Sequence, residues 1–439
     1  MTISRRSLLA ASVAGFATRL ASAETSIEKI DVFEAGQDGY ALYRIPGVVV
    51  TSLGTVLAYC EGRKRAGGDW GTIDLFMRRS EDGGRSWSGM KKLVELPGPH
   101  SKNPVSLKQK LATEGEVTYN NPVAIADRNG SVHFLFCYEY MRAFYMRSDD
   151  DGRTFSKPVE ITQTFEAFRK DYPWQVLAIG PGHGIQLANG RLIAPVWISP
   201  GTGGHAHRPS VTSVIYSDDH GVTWNAGEIA VHDTERTRIP NETAVVELAD
   251  GGVMLNVRSE SLNNRRILVQ SQDGATNWSE PKFHEQLVEP ICFGSTVRLS
   301  TKKNSDRNRM LFSNPDNLSR RDGKEEPGKN RDRRNLTVKL SYDEGESWPV
   351  AKVIEPGWSG YSDLGVTKDG TVLCFYERGG LHDNHFQSAA LTMARFDLSW
   401  LTNGKDKLSK GSGWIGLWCQ GNCQPTRRSG RGFEGQSRS

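Results

Sequence analysis

Ser80-Glu81-Asp82-Gly83-Gly84-Arg85-Ser86-Trp87 is a turn unit that this chain repeats. The same order of Ser, Asp, Gly, Ser/Thr and aromatic returns from Ser148 to Phe155, from Ser217 to Trp224 and from Ser341 to Trp348. A decayed copy runs from Ser271 to Trp278, with Ala275 where the others have Gly. In such an octet the Asp accepts bonds from backbone amides two residues on and Gly supplies a positive φ. The hydroxyl closes the turn and the aromatic anchors it to a core. The copies start 54 to 70 residues apart, the length of a four-stranded blade with its loops rather than of a helical repeat. An isolated Asp-Gly turn would be uninformative. Four full copies and one partial copy at this spacing predict an all-β fold, a six-bladed β-propeller with octet turns.

The residues between the octets agree. Short β-branched and aromatic runs, such as Val48 to Cys60, Val132 to Tyr138, Arg191 to Ile198, Gly252 to Val257 and Thr371 to Tyr376, alternate with Gly, Asn and Asp turns. Long amphipathic helical patterns are absent. The charged, aromatic-free stretch from Asn314 to Arg334 breaks the rhythm and reads as a long surface loop within one blade.

The ends read differently. Ser4-Arg5-Arg6-Ser7-Leu8-Leu9 is a twin-arginine pattern, Leu8 to Phe16 is too short to span a bilayer, and Ala21-Ser22-Ala23 is a small-residue cleavage site. Residues 1–23 are therefore expected to be an export signal, residues 24–400 one propeller domain, and 401–439 a basic, disordered tail. A periplasmic or secreted location follows. No other segment approaches the ~20 apolar residues of a membrane helix. The net charge of +4 resolves into +3 in the signal, +5 after residue 400 and about −4 between them. So mildly acidic a body carries no nucleic-acid footprint. Cys60, Cys137, Cys292 and Cys374 sit in apolar runs and read as buried thiols, while Cys419 and Cys423 lie in the tail. His205, His207, His382 and His385 lack helical ligand spacing and a clear carboxylate partner, so neither metal nor cofactor is expected. A monomer is the default expectation.

The octet resembles the Asp-box of the sialidases, and Tyr43-Arg44-Ile45-Pro46 resembles their Arg-Ile-Pro signature. The resemblance spans roughly Glu28 to Leu398. It implies a site for a sialylated glycan, whose anomeric carbon bears a carboxylate. Arg offers such a group paired N–H donors that Lys cannot. By the resemblance the first such arginine is Arg44 and the second Arg258, in Asn256-Val257-Arg258-Ser259-Glu260. The third falls among Arg331, Arg333 and Arg334, of which Arg333 fits the family spacing to Thr337.

A carboxylate nucleophile would be repelled by the substrate's own carboxylate, whereas a neutral phenol would not, and sialidases use Tyr. Tyr361, in Gly360-Tyr361-Ser362-Asp363, resembles that nucleophile, and Glu242, in Pro240-Asn241-Glu242-Thr243, the base that a phenol of pKa near 10 requires. Asp69, in the glycine-framed loop Ala66 to Gly71, stands where the family keeps its acid/base Asp, with Asp74 a nearby competitor. Desolvation under a bound sugar would raise its pKa. Arg63 is expected to line the same face, as is the loop from Gly180 to Gln186. The implied activity is exo-α-sialidase hydrolysis with retention. The alternatives are a trans-sialidase, a hydrolase for a related nonulosonic acid, or a non-catalytic glycan-binding propeller, which would need the octets but not Arg44, Asp69, Glu242, Arg258 and Tyr361 together.

Overall fold

The structure is a computed structural model that describes residues 26–409; the export-signal pattern and the pair Cys419 and Cys423 lie outside them. Its architecture is all-β, built from antiparallel sheets. Helix among the described residues is confined to a few short segments, Pro104–Lys108, Thr162–Glu166 and Leu398–Leu401 plus two 3-10 turns.

Four sheets follow the chain in order, each a meander. The first contains Leu42–Val50, Val56–Arg63, Ile73–Ser80 and Lys91–Lys92, and the second Tyr119–Ala126, Val132–Tyr138, Arg142–Ser148 and Val159–Glu160. The third is built on Val176–Ile179, Leu192–Ser199, Val211–Ser217 and Asn225–Ala226, and the fourth on Thr243–Glu247, Val253–Val257, Arg265–Ser271 and Lys282–Val288. The rest forms one seven-stranded sheet. Its long strand Val350–Val366 pairs with Arg334–Ser341 through its first half and with Val372–Arg378 through its second. The first described strand, Glu28–Glu34, joins the far edge beside Ala390–Phe396.

Every octet begins on the last residue of a strand: Ser80, Ser148, Ser217, Ser271 and Ser341. Ser80 Oγ donates to Asp82 at 2.7 Å and accepts from Gly84 N at 2.7 Å. Asp82 takes the amides of Arg85 and Ser86 and the Ser86 hydroxyl, the last at 2.6 Å. The carboxylate thus reaches three and four residues on, further than a simple Asx turn. In the decayed copy Gly274 keeps the positive φ that the fourth position has in every octet, Ala275 lacks that of the fifth, and the Gly274 amide still reaches Ser271 Oγ at 3.1 Å.

The inner strands are apolar on both faces because both faces are covered. Val56–Arg63 and Leu192–Ser199 are buried throughout. One core cluster joins the first and second sheets through Leu57, Tyr59, Phe134 and Phe136, and others link each later sheet to the next. Another returns from the seven-stranded sheet to the first, packing Leu373, Phe375 and Met393 on Val48, Val56 and Phe76.

Two expectations are corrected. The stretch from Asn314 to Arg334 is not all surface loop: Asn314 and Pro315 end a buried strand, and Arg331, Asp332 and Arg333 are buried, while Ser319, residues 321–327, Lys329 and Asn330 are exposed. Three of its charges turn inward, Arg331, Asp332 and Arg333, and Arg331 donates to the carbonyls of Glu326 and Lys329. The domain also does not stop at residue 400. Leu401 is buried, and Asp406 accepts two bonds from the fully buried Arg309 at 2.8 and 2.7 Å, so residues up to 409 belong to the folded unit.

Candidate active site

Antiparallel neighbours place the start of a sheet's first and third strands and the end of its second at one end of the sheet. The octets, which follow the third strand, lie at the other. All the candidate residues fall at the first end. Arg44 sits early in Leu42–Val50 and Glu242 just before Thr243–Glu247. Arg258 directly follows Val253–Val257, Arg333 directly precedes Arg334–Ser341, and Asp69 follows Val56–Arg63. Tyr361 lies where the long strand begins to pair with Val372–Arg378.

The structure brings them together around a cavity of about 220 Å³, lined among others by Arg44, Asp69, Glu242, Arg258, Arg333 and Tyr361. Tyr361 Oη donates to Glu242 Oε1 at 2.6 Å and accepts from Arg258 Nη1 at 2.7 Å; Arg258 also pairs with Glu242 Oε2. The guanidinium centres of Arg44 and Arg333 lie 5.1 and 5.2 Å from the Tyr361 ring. Arg63 does not line the cavity. It is buried behind Asp69, donating to it at 2.9 Å and to Glu61 at 2.7 Å. Asp74 points elsewhere, accepting from Tyr40 Oη at 2.6 Å. The loop from Gly180 to Gln186 lies off the cavity as well, bracing the interior. Gly182 O accepts from Tyr59, and His183 Nδ1 pairs with Asp363 at 2.7 Å. Of the three competing arginines only Arg333 reaches the cavity.

Backbone strain sits at this end. Ile45, Ile239 and Ile291 have φ of 59°, 49° and 65°, a region β-branched residues avoid. Ile45 lies in the register shift that follows Arg44, and its amide donates to Glu377 at 3.2 Å. Ile239 leads into Pro240 and Glu242, while Ile291 presents the carbonyl that accepts Arg333 Nη2 at 2.6 Å.

A family profile for the BNR repeat-like domain matches residues 106–374. The chain belongs to this family. Among curated relatives, a sialidase of Micromonospora viridifaciens is 28% identical over 84% of this chain and 54% of its own length. A sialidase of Bacteroides fragilis is 29% identical over 80% and 63%. The chain thus spans little more than half the length of these relatives. Among solved structures, the Hadza microbial sialidase Hz136 superposes with a TM-score of 0.66 at 25% identity, covering 85% of this chain and 69% of that one. The intramolecular trans-sialidase from Ruminococcus gnavus gives 0.64 at 18% identity, over 84% and 98%, a likeness of fold.

The electrostatics of this BNR-family site depart from the sequence reading at Asp69. Burial opposes its ionisation, but Arg63, His207 and Arg44 outweigh that and hold the carboxyl well below its usual range. Burial pushes the Tyr361 phenol far up, with Glu242 adding to it, despite the three guanidiniums around it. The phenol therefore keeps its proton and donates it in the hydrogen bond to Glu242. Arg44 is buried against Glu377, donating through Nε at 2.9 Å and Nη2 at 3.2 Å. The same carboxylate accepts the Tyr361 amide at 3.0 Å.

Glu377 was missed in the sequence, though a signal existed. Three strands carry a buried Glu at or beside their end, after an aromatic or Cys: Glu61 after Cys60, Glu139 after Tyr138 and Glu377 after Tyr376. Each holds a cation, Arg63, Lys102 and Arg44 respectively. Also unforeseen was the wall made by Tyr140, Trp197, His205 and His207, in which burial drives the His207 pKa down to about 3. Among the described residues no group of three or more His, Cys, Asp or Glu could hold a metal ion.

Proposed function

We propose that this protein is an exo-α-sialidase that releases terminal sialic acids with retention through a tyrosyl intermediate. The observation that carries this reading is the Tyr361 phenol held between a carboxylate and a guanidinium, at 2.6 and 2.7 Å, beside two further arginines. The substrate carboxylate would lie among Arg44, Arg258 and Arg333. Tyr361 Oη attacks the anomeric carbon as its proton passes to Glu242. The bond to the aglycone oxygen breaks, and Asp69 gives that oxygen its proton. Water then attacks the same carbon from the face the aglycone left, with Asp69 as base. The bond to Tyr361 breaks and Glu242 returns the proton, so two inversions retain configuration.

Asp69 must be protonated for the first step, yet the charges around it favour its anion. Bound substrate supplies the remedy: its carboxylate offsets Arg44, 3.9 Å from Asp69, and its ring excludes water from the 38% of the Asp69 side chain now exposed.

The sheets support the six-bladed propeller reading. Taking the long strand as shared by two blades, Ser295–Ser300 to its first half makes a fifth, and its second half with Glu28–Glu34 makes a sixth that closes on the first. We place the activity outside the cytoplasm on the strength of Arg5-Arg6; a double Lys substitution there that leaves export unchanged would remove that placement. A fluorogenic α-sialoside assay tests the function. Release of sialic acid is expected, with product analysis with and without a glycan acceptor separating hydrolysis from transfer. Binding without release would leave only a lectin.

A further inference from the structure

Arg333 is held differently from the two arginines beside it. Arg44 is paired with Glu377 and Arg258 with Glu242, whereas among the described residues Arg333 makes no ion pair. Its Nη2 donates to the Ile291 carbonyl and its buried Nε has no partner. Ring faces fix it instead. The guanidinium centre lies 5.2 Å from the Tyr361 ring and 4.8 Å from that of Phe386, so it is clamped between the two. Phe386, which is 38% exposed and lines the cavity, is the innermost ring of a stack along the rim. His385 lies 4.2 Å from it and Trp358 5.2 Å from His385, while Arg321 covers Trp358 at 5.4 Å. Asp383 ties the outer end, accepting from Trp358 Nε1 at 2.8 Å and pairing with Arg321.

We infer that Phe386 is a positioning residue: with the stack behind it, it clamps Arg333 against Tyr361 and presents that guanidinium, ion-paired with no carboxylate among the described residues, to the acid group of the substrate. A ring face attracts a cation without cancelling its charge, where a Glu or Asp partner would cancel most of it. Arg44 and Arg258 each already hold a carboxylate, so Arg333 offers an arriving anion a guanidinium with no ion pair to break. This rests on the sialoside reading and adds to it a residue that need not touch the reacting atoms.

The test compares Phe386→Leu, which keeps apolar bulk and loses the ring, with Phe386→Tyr, which keeps the ring. An aryl α-sialoside serves as substrate, with free sialic acid and its analogue reduced at the carboxylate to a hydroxymethyl group as competitors. In Phe386→Leu the KM and the inhibition constant of sialic acid should rise about 10-fold while kcat stays within about 2-fold. The hydroxymethyl analogue should bind both proteins equally, and Phe386→Tyr should behave as wild type. The inference is overturned if Phe386→Leu matches wild type, if the hydroxymethyl analogue weakens as much as the acid, or if KM rises only where the protein is partly unfolded. Should wild type cleave sialosides while Phe386→Leu matches it, the clamp alone is refuted. Should wild type neither cleave nor bind them, the function and the clamp fall together.

Discussion

Glu377→Gln is the substitution whose cost is best defined. The Glu377 side chain is 3% exposed and takes four bonds: Nε and Nη2 of Arg44 and the amides of Ile45 and Tyr361. Gln matches its shape but removes the charge, and one of its two acceptor positions becomes a donor facing other donors. Arg44, itself 7% exposed, keeps only the more distant Asp69 at 3.9 Å. Breaking a buried pair from one side costs about 3–5 kcal/mol, and the residual Asp69 contact puts this case near 3. An unfolding entropy of about 2 cal/mol/K per residue over the described chain gives ~0.8 kcal/mol/K, so Tm should fall by about 4 °C. The site changes too. An Arg44 freed from Glu377 moves onto Asp69 and holds its carboxyl lower still, so kcat should fall by at least ~10-fold, while KM moves less because the charge for the substrate remains. Differential scanning calorimetry and steady-state kinetics on a sialoside read both effects. A variant with unchanged Tm and kcat would refute the role given to Glu377 and the neutralisation of Arg44 on which it depends.

Tyr361→Phe should lower kcat by roughly 10³-fold or more and leave Tm nearly unchanged, since the ring under Arg44 and Arg333 stays; near-wild-type turnover would end the nucleophile assignment. Asp69→Asn should cost ~10²-fold or more on an alkyl sialoside and far less on an aryl sialoside whose leaving group needs no proton, read from the ratio of the two kcat/KM values. Asp82→Ala removes four hydrogen bonds of the first octet, none near the cavity, and should cost about 1–2 kcal/mol, roughly 2 °C in Tm, with KM unchanged. Two histidines should shape acid stability in opposite senses. His207 falls from 6.5 to about 3 on folding because of burial, so its contribution is present above about pH 6.5 and drains away as pH falls towards 3; Tm against pH should flatten on that limb in His207→Asn. Burial opposes the charged form of His183 but Asp363 outweighs it and raises the pKa, so its contribution is full below about pH 6.5 and is lost as pH rises through the raised value; His183→Asn should lose more Tm at pH 5.5 than at pH 8.5.

What the sequence revealed depended on whether a residue's task was local. The octets close their own hydrogen bonds within eight residues, so Ser80, Asp82 and Ser86 declare their turn wherever it stands. Arg44, Arg258 and Tyr361 were legible only through flanking residues, since nothing local explains why an Arg should precede Ile45-Pro46. The strain at Ile45, Ile239 and Ile291 supplies that reason: each bends the backbone beside a site residue. Glu377 and Glu61 were hidden because an acid at a strand end looks solvated until the cation it faces is known, and Arg44 lies 333 residues from Glu377 in the chain. Arg63 was misplaced for the opposite reason. Its nearness to Asp69 in sequence suggested a shared face, whereas its guanidinium points inward to Glu61 and reaches the cavity only through Asp69.

These placements bear on why so many charges can share one pocket. Arg44 with Glu377, Arg258 with Glu242 and Arg63 with Glu61 are each close to neutral pairs, and they bring rigidity rather than net attraction. Asp69 then sits between Arg63 and Arg44 as a spare negative charge and Arg333 as a spare positive one. Under the proposed function, a substrate carboxylate settling on Arg333 would neutralise that spare positive charge and leave the anion of Asp69 in surplus, which proton uptake there would relieve. On that reading, binding of the acidic sugar and arming of Asp69 as general acid would be one electrostatic event. It follows that a neutral analogue, even one that fits the cavity, should leave Asp69 ionised and its own glycosidic bond intact.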